Sequence, residues 1–241
     1  MLAVLYQDAH FVAVNKPAGM LVHRSKIDPR EKSIALQQVR DQLGSHVYPV
    51  HRIDKPTSGV LLFGRSKDAA RHLAAAFATR EITKSYLAVV RGYLPPDDVI
   101  DYALKEIHDK KTDRKARAAK PAQEATTAFQ TLDTVELPFP AGRYDTTRYT
   151  FARLSPATGR KHQLRRHMKH IFHPILGDGK YGDWRHNKFI AAQFDCHRML
   201  LHAHTLSFTH PISASSVVIS AELPADFAAL LDTMGLQHNK V

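Results

Sequence analysis

His51-Arg52-Ile53-Asp54-Lys55-Pro56-Thr57-Ser58-Gly59 sets an acid, Asp54, between two cations in a segment rich in turn formers. It then runs directly into Val60-Leu61-Leu62-Phe63, an apolar run with the length of a buried strand. A carboxylate flanked by Arg52 and Lys55 carries its charge at neutral pH, because neighbouring positive charge favours the ionised form. A charged Asp at a strand edge can act as a nucleophile or a base. It can also do no more than close a turn, with Thr57 and Ser58 bonding to backbone. Residue chemistry alone leaves both readings open.

On the N-terminal side of this segment, residues 2–6 and 11–15 read as short strands. Gln7-Asp8-Ala9-His10 makes the hairpin connection between them, and Lys16-Pro17-Ala18-Gly19 is a loop. Residues 33–43 carry Ile34, Leu36, Val39 and Leu43 at helical spacing, with Gly44 as the stop. On the C-terminal side, residues 67–79 repeat Ala70, Leu73, Ala74 and Phe77 at helical spacing. Strands are expected at residues 86–90, 99–104, 126–137, 149–154, 199–208 and 217–221. A helix is expected over 159–171, with Leu164, Met168 and Ile171 inward and its basic residues outward. Phe227, Leu230, Leu231 and Met234 mark a terminal amphipathic helix. Strands and helices mix without a regular βαβ alternation, so the fold class is α+β rather than doubly wound.

The chain has 241 residues, with 34 Lys and Arg against 23 Asp and Glu, a formal charge of +11. That length suits one domain or two tight lobes with a substantial core. The charge is bunched. Arg160, Lys161, Arg165, Arg166 and Lys169 follow one another without an acid, and residues 105–120 hold seven basic residues against Glu106, Asp109 and Asp113. Bunched positive charge is a footprint for a polyanion, nucleic acid first among them. Residues 105–123 have almost no apolar periodicity and read as an exposed basic loop.

One cysteine, Cys196, excludes an internal disulfide and a Cys-rich zinc site. No apolar run approaches the roughly 20 residues of a membrane span. The first residues lack the basic region and cleavage site of a signal peptide, so a reducing cytoplasmic location is expected. Histidines number 16. The spacing of His162, His167, His170 and His173 matches no familiar zinc pattern, and no acid interleaves with them, so no metal site is expected.

The His51–Gly59 segment resembles the catalytic motif of the RluA-type pseudouridine synthases, His-Arg-Leu-Asp-x-x-Thr-Ser-Gly, with Ile53 for the usual Leu, a volume-conserving change. Further blocks resemble the family in order. They are Asn15-Lys16-Pro17-Ala18-Gly19 with Val22-His23, then Lys84-Ser85-Tyr86-Leu87-Ala88 with Gly92, then Thr158-Gly159-Arg160-Lys161-His162-Gln163-Leu164-Arg165-Arg166-His167. His173-Pro174-Ile175, Gly177-Asp178, Tyr181-Gly182, Leu201-His202-Ala203 and His210-Pro211 follow. Together they run from residue 15 to residue 211, and residues 105–123 match none of them.

The resemblance implies a single catalytic domain over 1–241 in two tightly packed lobes, with no separate N-terminal RNA-binding module. Its fold is a central mixed, mainly antiparallel sheet flanked by helices, with a basic cleft. The implied activity is isomerisation of uridine to pseudouridine in RNA, without a cofactor, since neither redox change nor external energy is needed. Among family members the chain is most similar to a subgroup acting on tRNA at the uridine numbered 65; ribosomal RNA is the alternative substrate. No membrane and no obligate protein partner are implied.

Residue by residue, Asp54 corresponds to the catalytic carboxylate. Arg165 corresponds to the guanidinium that pairs with it, a role suited to a planar fork, or else it is a phosphate contact. Tyr86 corresponds to the active-site tyrosine, able to stack on an extruded uracil, or is a core ring of its strand. Arg52 helps displace and hold the flipped nucleotide, fills the vacated stack or binds phosphate. Leu201 is an apolar wall for the base. Arg160, Lys161, Arg166 and Lys169 are phosphate contacts that offset the few kcal/mol of unstacking. Two readings of other classes are a non-catalytic RNA-binding protein on the same scaffold and a metal-dependent hydrolase built on the histidines.

Overall fold

A computed structural model describes residues 1–24, 30–106, 121–141 and 144–239. In chain order its elements are β1 (Val4–Gln7), β2 (Phe11–Lys16), α1 (Ala35–Leu43), β3 (Tyr48–Pro49), β4 (Ser58–Gly64), α2 (Lys67–Ala78), β5 (Thr83–Arg91) and β6 (Asp97–Asp101). There follow β7 (Thr126–Leu137), β8 (Thr147–Pro156), α3 (Gln163–His170), α4 (Trp184–Phe194), β9 (Leu201–Thr209), β10 (Ser216–Ser220) and α5 (Ala225–Met234). Most of the basic loop expected at 105–123 lies outside the described residues; at its base Leu104 pairs with Gln123.

The chain divides into two compact units. The first comprises residues 1–84, 103–124 and 203–221, the second 85–102, 125–202 and 222–241. In the first unit β2 and β4 pair antiparallel, Phe11 opposite Gly64 and Lys16 opposite Gly59. Every residue of β4 is buried, as a continuous apolar run requires. The β1–β2 hairpin is closed by Asp8, whose Oδ1 accepts the N–H groups of His10 and Phe11 at 2.6 and 2.7 Å. Phe11, Ala13, Val60, Leu62, Leu73, Leu206 and Ile219 form this unit's core beneath α2. Ser66 caps α2 by accepting the N–H of Ala69 at 3.1 Å. α1 stops at Gly44, which takes the left-handed φ of 61° at the helix C-terminus.

In the second unit β5, β8, β7 and β6 pair antiparallel in that order. Alternation along the strands sends side chains to two faces. Leu87, Val89, Tyr149 and Phe151 join Phe227, Leu231 and Met234 of α5 on one side. Ala88, Val90, Ala152 and Leu154 join Leu164 and Met168 of α3 on the other. The architecture is α+β, a mainly antiparallel arrangement flanked by helices.

The helix expected over 159–171 is shorter, Gln163–His170. Residues 159–162 form a turn that ends on His162 at a φ of 57°. The turn is held by Gln163, whose Oε1 accepts from the Arg160 N–H and the Thr158 hydroxyl at 2.9 and 2.7 Å. Its Nε2 donates to the Thr126 carbonyl and the Thr127 hydroxyl, both at 3.0 Å. Arg160 and Lys161 therefore precede the helix. Nor do all its basic residues face outward, because Arg165 and His167 are buried.

Candidate active site

The Asp54 segment is shaped by a lysine. Lys16, the last residue of β2, is fully buried, and its Nζ donates to the carbonyls of Pro17, Met20 and Lys55 at 2.8, 2.9 and 3.1 Å. The Gly19 N–H donates to the same Lys55 carbonyl at 2.9 Å. The Lys-Pro-Ala-Gly loop and the Asp54 loop are thus fastened at the residue after Asp54. The turn itself is closed by main chain, the Thr57 N–H donating to the Asp54 carbonyl at 3.0 Å. Asp54 is half-buried at the mouth of β4.

His51 locks the start of the same segment. Its Nε2 accepts the Leu62 N–H at 2.9 Å, and its ring stacks on Phe77 with centroids 4.9 Å apart. Burial and the nearby charge of Lys84 push its pKa down to about 3, so it is a neutral acceptor. Arg52 is exposed, and burial together with the Arg52 charge lowers the pKa of His23. At Gly59, φ is 110° and a side-chain Cβ would come within 2.1 Å of the Ala203 carbonyl oxygen. The glycine of the motif is the one residue that lets β9 run against β4 here.

In the second unit α3 presents Arg165. Its Nε and Nη2 meet Oδ2 and Oδ1 of Asp178 at 2.7 and 2.8 Å, with both side chains buried. The Tyr181 ring lies 5.1 Å from the guanidinium carbon, and the Tyr181 hydroxyl bonds His162 Nδ1 at 2.9 Å. Asp178 Oδ1 also accepts the N–H groups of Lys180 and Tyr181 at 2.9 and 3.0 Å. Burial pushes the Asp178 carboxyl up, but the hydrogen bonds and charge of Arg165 outweigh it and hold it below the ordinary carboxylate range. This is a rigid, charge-assisted mount for one guanidinium.

Tyr86 is half-buried on β5 opposite Leu154 and packs against the α3 side of the core. Leu201 is buried in that same core. Arg166 is half-buried and Lys169 exposed on α3. His162, His167, His170 and His173 have structural partners. His167 bonds the Thr127 hydroxyl and the Tyr102 carbonyl, His170 stacks on Tyr102, and His173 bonds the Arg91 carbonyl. Among the described residues no group of three acids, histidines or cysteines could hold a metal ion, and no helix is long and apolar enough to cross a membrane.

Sequence reading gave no role to Lys16, His51, Asp178 or Tyr181. Asp178 did carry a signal: it is the first acid after Asp145, beyond a long basic stretch, which marks it as the natural counter-ion for a buried arginine.

Residues 10–170 match the family model described as RNA pseudouridylate synthase. The chain is 50% identical over 238 residues to tRNA pseudouridine synthase C of Haemophilus influenzae, covering 99% of this chain and 100% of that one. It is 52% identical to the protein of the same name from Salmonella typhi, covering 98% and 90%. Among solved structures, human RNA pseudouridylate synthase domain containing 4 aligns with a TM-score of 0.71 at 26% identity, over 98% of this chain and 94% of that one. Human RNA pseudouridylate synthase domain containing 1 shares the fold with a TM-score of 0.73, covering 95% and 87%.

Proposed function

The chain belongs to the RNA pseudouridylate synthase family, and from that membership we propose that it converts uridine to pseudouridine in tRNA, at uridine 65. The reaction breaks the bond between ribose C1′ and uracil N1, turns the ring, and joins C1′ to C5. The N1 position gains the proton that C5 gives up, so no oxidant, reductant or cofactor enters. Asp54 supplies the charged carboxylate to the ribose, as nucleophile or base. Arg165 is the guanidinium assigned to that carboxylate, Tyr86 the ring for the extruded uracil, and Leu201 an apolar wall beside it. Arg52 holds the flipped nucleotide, and Arg160, Lys161, Arg166 and Lys169 meet phosphates. The enzyme works in the cytoplasm without an obligate protein partner.

The observation that carries this reading is the Asp54 loop. The main-chain bond from Thr57 to Asp54 and the Lys16 clamp on the Lys55 carbonyl fix the backbone on both sides of the acid, which supports reading the motif as a mount that sets Asp54 at the mouth of β4. The test is to incubate the protein with bulk tRNA and with ribosomal RNA and to map pseudouridine. Product at tRNA position 65 is expected, with Asp54→Asn retaining RNA binding and losing roughly a hundred- to ten-thousandfold or more in rate. Product confined to ribosomal RNA overturns the substrate, and turnover by Asp54→Asn overturns the site.

A further inference from the structure

The second unit holds two large aromatic side chains out in solvent. Phe172, in the turn after α3, is 79% exposed, and Trp184, the first residue of α4, is 68% exposed. One guanidinium links the turn that carries Phe172 to the residue before Trp184. Arg91 Nη2 donates to the Phe172 carbonyl at 3.0 Å, and Nη1 donates to Asp183 Oδ2 at 2.5 Å. Asp183 in turn caps α4 by accepting the Arg185 N–H at 3.0 Å. Phe172 sits at a φ of 65°, the left-handed region that bulky side chains rarely adopt. That conformation ends α3, the Phe172 N–H donating to the Lys169 carbonyl and the His173 N–H to the Met168 carbonyl at 3.0 and 2.9 Å, a position that favours glycine or asparagine. Burial does not account for a phenylalanine there, since its ring stands in solvent.

The surroundings are cationic. The Arg185 guanidinium lies 5.6 Å from the Trp184 ring centroid, and exposed Lys188 follows one turn along α4. Exposed Lys169 supplies the carbonyl that receives the Phe172 N–H. Asp183, the carboxylate beside the tryptophan, is engaged by Arg91. Exposed rings framed by cations suit unpaired nucleotides, whose bases stack on aromatic and guanidinium faces while their phosphates meet Arg and Lys.

We propose that Phe172 and Trp184 form a stacking platform for unpaired nucleotides of the RNA substrate, with Arg185, Lys188 and Lys169 meeting their phosphates. The platform rests on the reading that the substrate is RNA, and is independent of which uridine is modified and of what Asp54 does.

Trp184 is the chain's single tryptophan, so intrinsic emission reports on this surface alone. The full-length Asp54→Asn protein is titrated with single-stranded oligouridylate and with a blunt RNA duplex of equal length, following emission and filter retention in parallel. Saturable quenching is expected, stronger for the single strand. Trp184→Ala and Phe172→Gly weaken single-strand retention by about five- to a hundredfold. Phe172→Gly also raises the melting temperature, because glycine suits that backbone. In the otherwise wild-type enzyme the loss falls on KM more than on kcat. RNA retained with silent emission overturns the platform alone, as does a stabilised Phe172→Gly that binds RNA normally. Emission that follows protein concentration, with dimers abolished by Trp184→Ala, assigns the surface to self-association and overturns it too. No retention of any RNA overturns both the RNA reading and the platform.

Discussion

Arg165 and Asp178 form a two-point ion pair, 2.7 and 2.8 Å, on side chains only 8% and 1% exposed. A charge pair so buried is poor evidence of net stabilisation, since desolvation consumes most of the attraction. Its value is geometric: one edge of the fork is fixed at two points and the ring of Tyr181 covers one face. Asp178→Asn leaves Arg165 charged with a neutral partner, and is expected to lower unfolding free energy by about 3–5 kcal/mol in urea titrations. Because the Asp178 pKa is depressed in the fold, its contribution is complete above the ordinary carboxylate range near 4. It is lost as pH falls through the folded value. The wild type should therefore lose stability in that acid window and Asp178→Asn should lose less of it. Arg165→Lys keeps the charge but not the fork and should also fail in turnover. Near-native activity in Arg165→Lys would reduce Arg165 to a phosphate contact.

Lys16 makes a second, separable prediction. Lys16→Met preserves the stem of the side chain but strips a donor from the Pro17, Met20 and Lys55 carbonyls. Lys55 keeps the Gly19 N–H, so the loss is concentrated on the other two, at about 1–3 kcal/mol for each buried acceptor left unmet. The Lys55 carbonyl adjoins Asp54, so turnover should fall more than RNA affinity. Stopped single-turnover assays beside filter retention measure the split. Equal losses in both would mean that Lys16 serves stability only.

Much of this fold was legible because its buried strands and amphipathic helices are local patterns. β2, β4, β7, β8, α1, α2 and α5 all follow from apolar spacing and the residues that end them. α3 is shorter than its apolar spacing predicts because its start depends on Gln163 reaching Thr126 and Thr127, 37 and 36 residues away, which no local window contains. α4 escaped notice because it buries only Ile190 fully and opens on an exposed tryptophan. In the site, Asp54 and Arg165 could be singled out from motif resemblance. The role of Asp178 is not local, since its partnership with Arg165 depends on a loop folding back between them.

The neutral state of His51 has a pH signature. Its Nε2 accepts the Leu62 N–H, a bond that protonation would destroy. The folded pKa of about 3 lies below the unfolded value of 6.5. The stability this implies is present above pH 6.5 and is lost progressively as pH falls from there towards 3. The slope of unfolding free energy against pH between 6.5 and 4.5 should be positive, and should flatten in His51→Gln, which cannot titrate. Asp178 acts only at lower pH, so the two contributions are separable by window. An unchanged slope in His51→Gln would place the titrating group elsewhere.

Two glycines with positive φ should respond to the same substitution very differently. Gly44 ends α1 at a φ of 61° with open space where a Cβ would go. Gly44→Ala then meets only the backbone cost, about 1 kcal/mol, and should retain activity. Gly59 has a φ of 110° and would drive its Cβ to 2.1 Å from the Ala203 carbonyl oxygen, main chain that cannot rotate aside. Relief requires β4 and β9 to separate at the residue that follows Asp54-Lys55-Pro56-Thr57-Ser58, so the damage reaches the catalytic loop directly. Gly59→Ala is expected to cost more than about 4 kcal/mol and to abolish turnover. Thermal melts of the two variants alongside a pseudouridine assay decide it. Comparable melting temperatures would show that the strands can part there without penalty, and that the motif's glycine answers to something other than strand packing.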